Sequence, residues 1–173
     1  MERIASFEKV SFNQFFQDWD TLCPGDSEDE IRRMYEHIQV PCRATAGSAG
    51  YDFFAPHDIL IKPREQVLIP TGIHAKIKEG YVLMLFPRSS LGFKFRLQLD
   101  NTVGIVDSDY IHARNGGHIY CKLTNDTHEG KPVIIKSGEA FIQGVFLPFG
   151  ITNDDDVKAE RTGGIGSTTK GKK

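Results

Sequence analysis

From Val40 onward, turn residues cut the chain into short apolar or alternating runs, and no other feature limits the fold as strongly. The runs are Tyr51–Phe54, Ile59–Lys62, Val67–Pro70, Ile73–Ile77, Tyr81–Phe86, Phe95–Leu99, Val103–Val106, His118–Leu123, Val133–Lys136 and Phe141–Leu147. Turn residues such as Lys62-Pro63, Pro70-Thr71-Gly72, Glu79-Gly80, Asn115-Gly116-Gly117 and Ser137-Gly138 separate them. Many short strands at close spacing build a sandwich, jelly roll or barrel. No helix-length pattern interrupts them, which argues against a parallel sheet with crossover helices.

The segment before them, to about Ile38, is helical in character. Phe12, Phe15, Phe16 and Trp19 fall on one helical face, and Ile31, Met34, Tyr35 and Ile38 repeat the spacing. Ser11 with Gln14, and Ser27 with Glu30, fit capping boxes. Pro24-Gly25 breaks the chain between the two patterns. The expected organisation is a helical hairpin over residues 1–38, a β-core over 39–152 and a flexible arm over 153–173. The arm is rich in Gly, Ser, Thr and Lys, and cannot bury enough surface to order itself without a ligand.

At 173 residues the chain is long enough for one domain and short for two. A formal charge of −2 gives no whole-surface attraction for nucleic acid. No apolar run reaches membrane-span length, and Met1-Glu2-Arg3 leads into a polar segment unlike a signal peptide. Cys23, Cys42 and Cys121 lack metal-ligand spacing and read as reduced thiols in a cytoplasmic protein.

Five segments carry chemistry-capable residues. Gly47-Ser48-Ala49-Gly50-Tyr51-Asp52 places a carboxylate after a flexible loop. Pro87-Arg88-Ser89-Ser90 puts a guanidinium and two hydroxyls at the exit of an apolar strand. In Gly104-Ile105-Val106-Asp107-Ser108-Asp109-Tyr110 an apolar run leads into two acids and an aromatic ring. Strand alternation would place Asp107 and Asp109 on one face. A carboxylate at the end of a buried strand is costly unless it is paired or used, and a general base needs such a group. Gln143 stands inside an apolar strand. Arg161-Thr162-Gly163-Gly164-Ile165-Gly166-Ser167-Thr168 groups a guanidinium, hydroxyls and glycine amides, which is what a polyphosphate needs. Taken singly, each segment also has a structural reading as a turn, a cap or a satisfied core amide.

Together, and in this order, the five segments resemble the motifs of the trimeric dUTP diphosphatases (dUTPases), over about Val40 to Thr168. The helical hairpin resembles an extension seen in a bacterial and phage branch of that family. The resemblance implies a mainly β, jelly-roll-like dUTPase β-barrel, a homotrimer with sites built from more than one chain, and hydrolysis of dUTP to dUMP and pyrophosphate with Mg²⁺. Such an activity lowers dUTP and supplies dUMP for dTMP synthesis. It implies Asp107 as the acid that activates water and Tyr110 as the ring under the deoxyribose. Asn101 matches the uracil-reading position, with Gly104 in the same hairpin. Arg88, Ser89 and Ser90 match the phosphate-binding segment, and Gln143 the strand glutamine near phosphates and water. Asp52 matches an acid that meets the metal through water. Arg161, Ile165, Gly166 and Ser167 match the closing arm.

The chain departs from the family's pattern in several places. Ile165 replaces a stacking phenylalanine, Ala140 replaces an arginine, and Ile111 to Gly117 replace a short turn after Tyr110. The six histidines read as structural or surface groups. A rival enzyme class, the dCTP deaminases, uses a glutamate on the strand after the third motif; His118–Leu123 has none. A rival of another kind is a phage-type regulator that binds a repressor through the helical hairpin. A structural role is the expected one, with the hairpin capping the trimer or packing on its own subunit, because an exposed aromatic face is a liability.

Overall fold

The computed structural model describes residues 2–159 together with 161 and 163. Its first half runs β1 (Ala5–Lys9), α1 (Phe12–Leu22), α2 (Glu28–His37), β2 (Cys42–Arg43), β3 (Tyr51–Phe54), β4 (Ile59–Ile61), β5 (Gln66–Pro70), β6 (Ile73–Ile77) and β7 (Tyr81–Pro87). Then follow α3 (Ser89–Phe95), β8 (Leu97–Leu99), β9 (Gly104–Val106), a 3₁₀ turn over Ser108–His112, β10 (Tyr120–Asn125), β11 (Val133–Ile135) and β12 (Ala140–Pro148).

The fold is mainly β, as the run pattern requires. The strands form one five-stranded sheet ordered β2-β3-β12-β7-β9, one three-stranded sheet ordered β5-β10-β8, and the pairs β1-β6 and β11-β4. Each is an open order of strands, so the expected barrel is a set of packed sheets without closure among the described residues. Every pairing is antiparallel. The strands alternate in burial as such sheets must: β4, β8, β9 and β11 each read buried, exposed, buried.

Both helices begin where their caps predict. Ser11 accepts from the Gln14 N–H at 3.2 Å. The Ser27–Glu30 box is complete, with Glu30 also accepting from the Ser27 N–H at 2.8 Å. Gln14 does not reach back to Ser11; its amide donates to Asp18 instead. The hairpin is not free-standing. Phe15, Trp19, Ile31 and Ile38 are buried in the same cluster as Ile69, Ile73, Leu83 and Phe141. The Val10 N–H donates to the Gly72 carbonyl at 3.0 Å. Gly72 has φ +75°, and a Cβ there would lie 2.2 Å from Ile38 Cδ1, so the hairpin needs a glycine at this corner.

The segment read as helical from its start opens on strand β1 instead. Its alternation is weak, with Phe7 its only large apolar residue, and its partner β6 lies far along the chain. Tertiary pairing decides the conformation there. Phe7 packs on Phe53 at 5.3 Å and Phe146 at 5.4 Å, seating β1 against the large sheet. The second correction is α3, whose seven residues are too few to show a helical period. No helix among the described residues is long and apolar enough to cross a membrane. The three cysteines are free thiols, as expected.

Candidate active site

The first, second and fourth motifs meet on three neighbouring strands. Asp52 on β3 lies directly opposite Gln143 on β12, which lies directly opposite Phe86 on β7. Directly opposed residues share a face, so the carboxylate and the amide stand side by side. Arg88 follows the end of β7, and its Nε lies 3.2 Å from Asp52 Oδ1. Its Nη1 donates to the Ala140 carbonyl at 3.4 Å, and Gln143 donates to the Pro87 carbonyl at 3.4 Å. The loop of the first motif leans on the fourth: a Cβ at Gly50 would lie 2.6 Å from Gln143 Oε1. Ser89 and Ser90 open α3, exposed beside Arg88.

The third and fifth motifs form a second group. Strand β9 ends at Val106, and Asp107 is the extended residue that enters the 3₁₀ turn. Asp107 and Asp109 therefore do not alternate along a strand, as the sequence pattern suggested. The turn still brings both to one cation. Arg161 Nε donates to Asp109 Oδ1 at 2.7 Å, and Arg161 Nη2 donates to Asp107 Oδ2. The guanidinium also lies 5.6 Å from the centre of the Tyr110 ring. The carboxylates remain about half exposed, with side-chain exposures of 49% and 48%. A reactant can reach them.

Tyr110 is buried, and its hydroxyl donates to the His118 carbonyl at 3.1 Å. Burial raises its pKa, so it stays a neutral donor. Gly104 is buried on β9, where a Cβ would lie 3.0 Å from Leu85 Cβ. That close approach lets β9 sit against β7. Asn101 is exposed in the link from β8 in the small sheet to β9 in the large one. Thr102 beside it has φ +66°, a turn conformation that folds the backbone sharply there.

Among the described residues, no hydrogen bond or ion pair joins the two groups. Val106, before Asp107, pairs with Leu83 toward the start of β7, whereas Gln143 pairs with Phe86 and Arg88 follows the far end of that strand, so one chain holds Asp52, Arg88 and Gln143 toward one end of β7 and Asp107 toward the other. Ile165, Gly166 and Ser167 lie outside the described residues. Sequence reasoning did not assign Asp109 the role of second partner to Arg161, although its sharing of a face with Asp107 was the available signal. It also passed over Asp18, Asn115 and His118, which support Tyr110 from behind.

Comparison with known proteins places this sheet arrangement and these five segments in a family. The dUTPase family model matches residues 36–169. A deoxyuridine 5′-triphosphate nucleotidohydrolase of Lactococcus lactis subsp. lactis is 44% identical over 144 residues, covering 80% of this chain and 95% of that one. The crystal structure of a dUTPase from Streptococcus mutans superposes with a TM-score of 0.64 at 35% identity, covering 86% of this chain and 98% of that one. A mutant dUTPase from phage phi11 of S. aureus, whose structure shows coordination of a structural Mg(II) ion, shares the fold at 23% identity and TM-score 0.59, covering 72% and 92%. The chain belongs to the dUTPase family.

Proposed function

We propose that this chain hydrolyses dUTP to dUMP and pyrophosphate, with Asp107 as the base that activates water. The observation that supports it best is the exit of β9. There a half-exposed carboxylate is held beside a buried aromatic ring and under a guanidinium. The products require cleavage between the α- and β-phosphates. Asp107 takes a proton from water, the resulting hydroxide attacks phosphorus, and pyrophosphate departs. Phosphoryl chemistry of this kind depends mainly on positioning and charge neutralisation. Arg88 and Arg161 supply planar donors for phosphate oxygens, and Ser89 and Ser90 supply hydroxyls. Asn101 and the β8–β9 backbone read uracil, Tyr110 lies under the sugar, and Ile165, Gly166 and Ser167 belong to the closing arm. Arg161 engages Asp107 in this structure; a bound triphosphate competes for that guanidinium and leaves the carboxylate free to act.

Mg²⁺ fits the donor set as an ion carried by the substrate. No three His, Cys, Asp or Glu side chains converge among the described residues. Phosphate oxygens and waters would be its inner ligands, with Asp52 meeting it through water. When bound, it neutralises charge on the triphosphate.

The separation of the two residue groups favours a site completed by another copy of the chain. A homotrimer satisfies it, with each site drawing on more than one subunit. Exposed apolar side chains such as Phe93, Ile105, Ile134 and Phe149 offer surface for that assembly. On this reading the chain is organised as extension 1–38, core 39–152 and arm 153–173, and works in the cytoplasm to lower dUTP and supply dUMP. Nucleic acid and membrane are not partners in this reading, and a repressor is a partner only if the chain is phage-encoded.

Product analysis across dUTP, dCTP, dTTP and UTP with Mg²⁺ tests the proposal. Pyrophosphate from dUTP alone is expected. Ammonia from dCTP would place the chain with the deaminases, and no turnover of any nucleotide would overturn the reading.

A further inference from the structure

The N-terminal helix lies outside the residues that the dUTPase family model matches, and it meets the loop after Tyr110 in a buried polar chain. His118 is fully buried. The Gly72 N–H donates to its Nε2 at 2.7 Å, so that nitrogen is the acceptor and Nδ1 carries the proton. Nδ1 donates in turn to Asp18 Oδ2 at 2.6 Å. Asp18 stands on α1, a hundred residues away in sequence. Gln14, one turn earlier, donates to the same oxygen at 2.9 Å. Burial lowers the pKa of His118, which keeps the ring neutral. For Asp18, burial opposes ionisation, but donors led by His118 and Gln14 outweigh it and lower its pKa.

The main chain of His118 then carries the coupling to the site. Its carbonyl accepts from the Tyr110 hydroxyl at 3.1 Å and from Asn115 Nδ2 at 3.0 Å. Asn115 also donates to the Tyr110 hydroxyl at 3.1 Å. The loop has little freedom to shift alone. His74 Nδ1 bonds the Gly116 carbonyl at 3.0 Å. Gly117, at φ +72°, leaves no room for a Cβ, which would lie 2.7 Å from Ile111 Cα.

We propose that Asp18 is a positioning residue of the active site: through His118 it fixes where the Tyr110 ring sits, and so helps the sugar pocket take deoxyribose and refuse ribose. The inference rests on the dUTPase reading of Tyr110. It gives the N-terminal extension a role in substrate discrimination. A ring anchored through one carbonyl follows any movement of that carbonyl, and ångström shifts at such a group are felt in rate and specificity.

The test compares full-length wild type, Asp18→Ala and Asp18→Asn. Steady-state kinetics are measured with dUTP and UTP, beside amide hydrogen exchange. Asp18→Ala is expected to raise KM for dUTP more than it lowers kcat, and to cut the dUTP-over-UTP preference by about tenfold. Exchange should quicken in residues 108–118 while β4 and β11 stay protected. Asp18→Asn keeps an oxygen that accepts from Nδ1 and should restore most of the preference. A folded Asp18→Ala protein with unchanged preference and unchanged exchange in 108–118 would overturn the proposal. So would a loss that Asp18→Asn shares in full. If Asp18→Ala does not fold, Gln14→Ala, which removes one donor from the same oxygen, is expected to show the same shifts to a smaller extent, and its failure to do so overturns the proposal. Absence of dUTP turnover by wild type would instead sink the functional reading, and the exchange measurement would still judge the coupling.

Discussion

Arg88 Nε lies 3.2 Å from Asp52 Oδ1, so the acid of the first motif orients the cation of the second. Asp52 has only 19% of its side chain exposed and Arg88 has 38%, which leaves the guanidinium a face for phosphate. Arg88→Ala should cut kcat/KM for dUTP by tenfold or more, since a hydrogen bond to a charged group is worth about 1.5–3 kcal/mol. Thermal stability should fall only modestly beside this, because the arginine end of the pair is exposed and water can reach the carboxylate left behind. Parallel losses of activity and Tm would show that the arginine is structural instead.

Removal of the Trp19 indole should be among the costliest single changes in the helical hairpin. Trp19 is 1% exposed, packs on Phe15 at 5.4 Å, and its indole N–H donates to Asp26 at 2.9 Å. Trp19→Ala should lower stability by about 3–5 kcal/mol in denaturant titration. A truncation starting at Val40 should be poorly soluble, since it bares the partners of Phe15, Trp19 and Ile31 in the shared core. A soluble, fully active truncation would contradict this packing.

Gly117 tests the loop behind Tyr110. Its positive φ and the 2.7 Å approach of Ile111 Cα leave an alanine strained on two counts. Gly117→Ala should cost about 1–3 kcal/mol. For a chain of this size that is a Tm drop of roughly 2–12 °C. Gly25→Ala, also at positive φ but with open space around it, should cost less.

Acid should destabilise the fold before the ordinary carboxylates titrate. Burial holds the pKa of His118 below its ordinary 6.5. Below that value the unfolded chain binds a proton that the folded chain refuses, so stability falls as pH falls and is level above it. The groups facing His118 are Asp18, which raises its pKa, and His74, which lowers it. The depressed pKa of Asp18 adds a second loss at lower pH, as the solution passes down through its ordinary 3.8. Tm followed between about pH 8 and about pH 5 should decline on the acid side, and His118→Gln should flatten the decline. A wild-type Tm constant over that span would contradict the buried neutral ring.

Most of the β architecture was legible because its signals are local. Tyr51–Phe54 and Ile73–Ile77 appear as read, and the Ser27–Glu30 box starts α2 where expected. Strand β1 was not legible, because Ala5–Lys9 becomes a strand only against β6. The third motif was read as a strand throughout, yet a 3₁₀ turn takes over after Asp107. The five motifs stood out by order and spacing. What holds them did not: the Asp18–His118 contact joins an ordinary helical aspartate to a loop histidine before β10, and neither carries a pattern of its own. Only the fold brings them together.

The most direct test of the account is pyrophosphate release from dUTP with Mg²⁺ by wild type and Asp107→Asn. The amide preserves the shape of the carboxylate but cannot take the proton from water. Wild type should turn dUTP over, and the variant's rate should be lower by about 10²-fold or more with its fold intact. Comparable turnover by Asp107→Asn would contradict this and assign the base to another group.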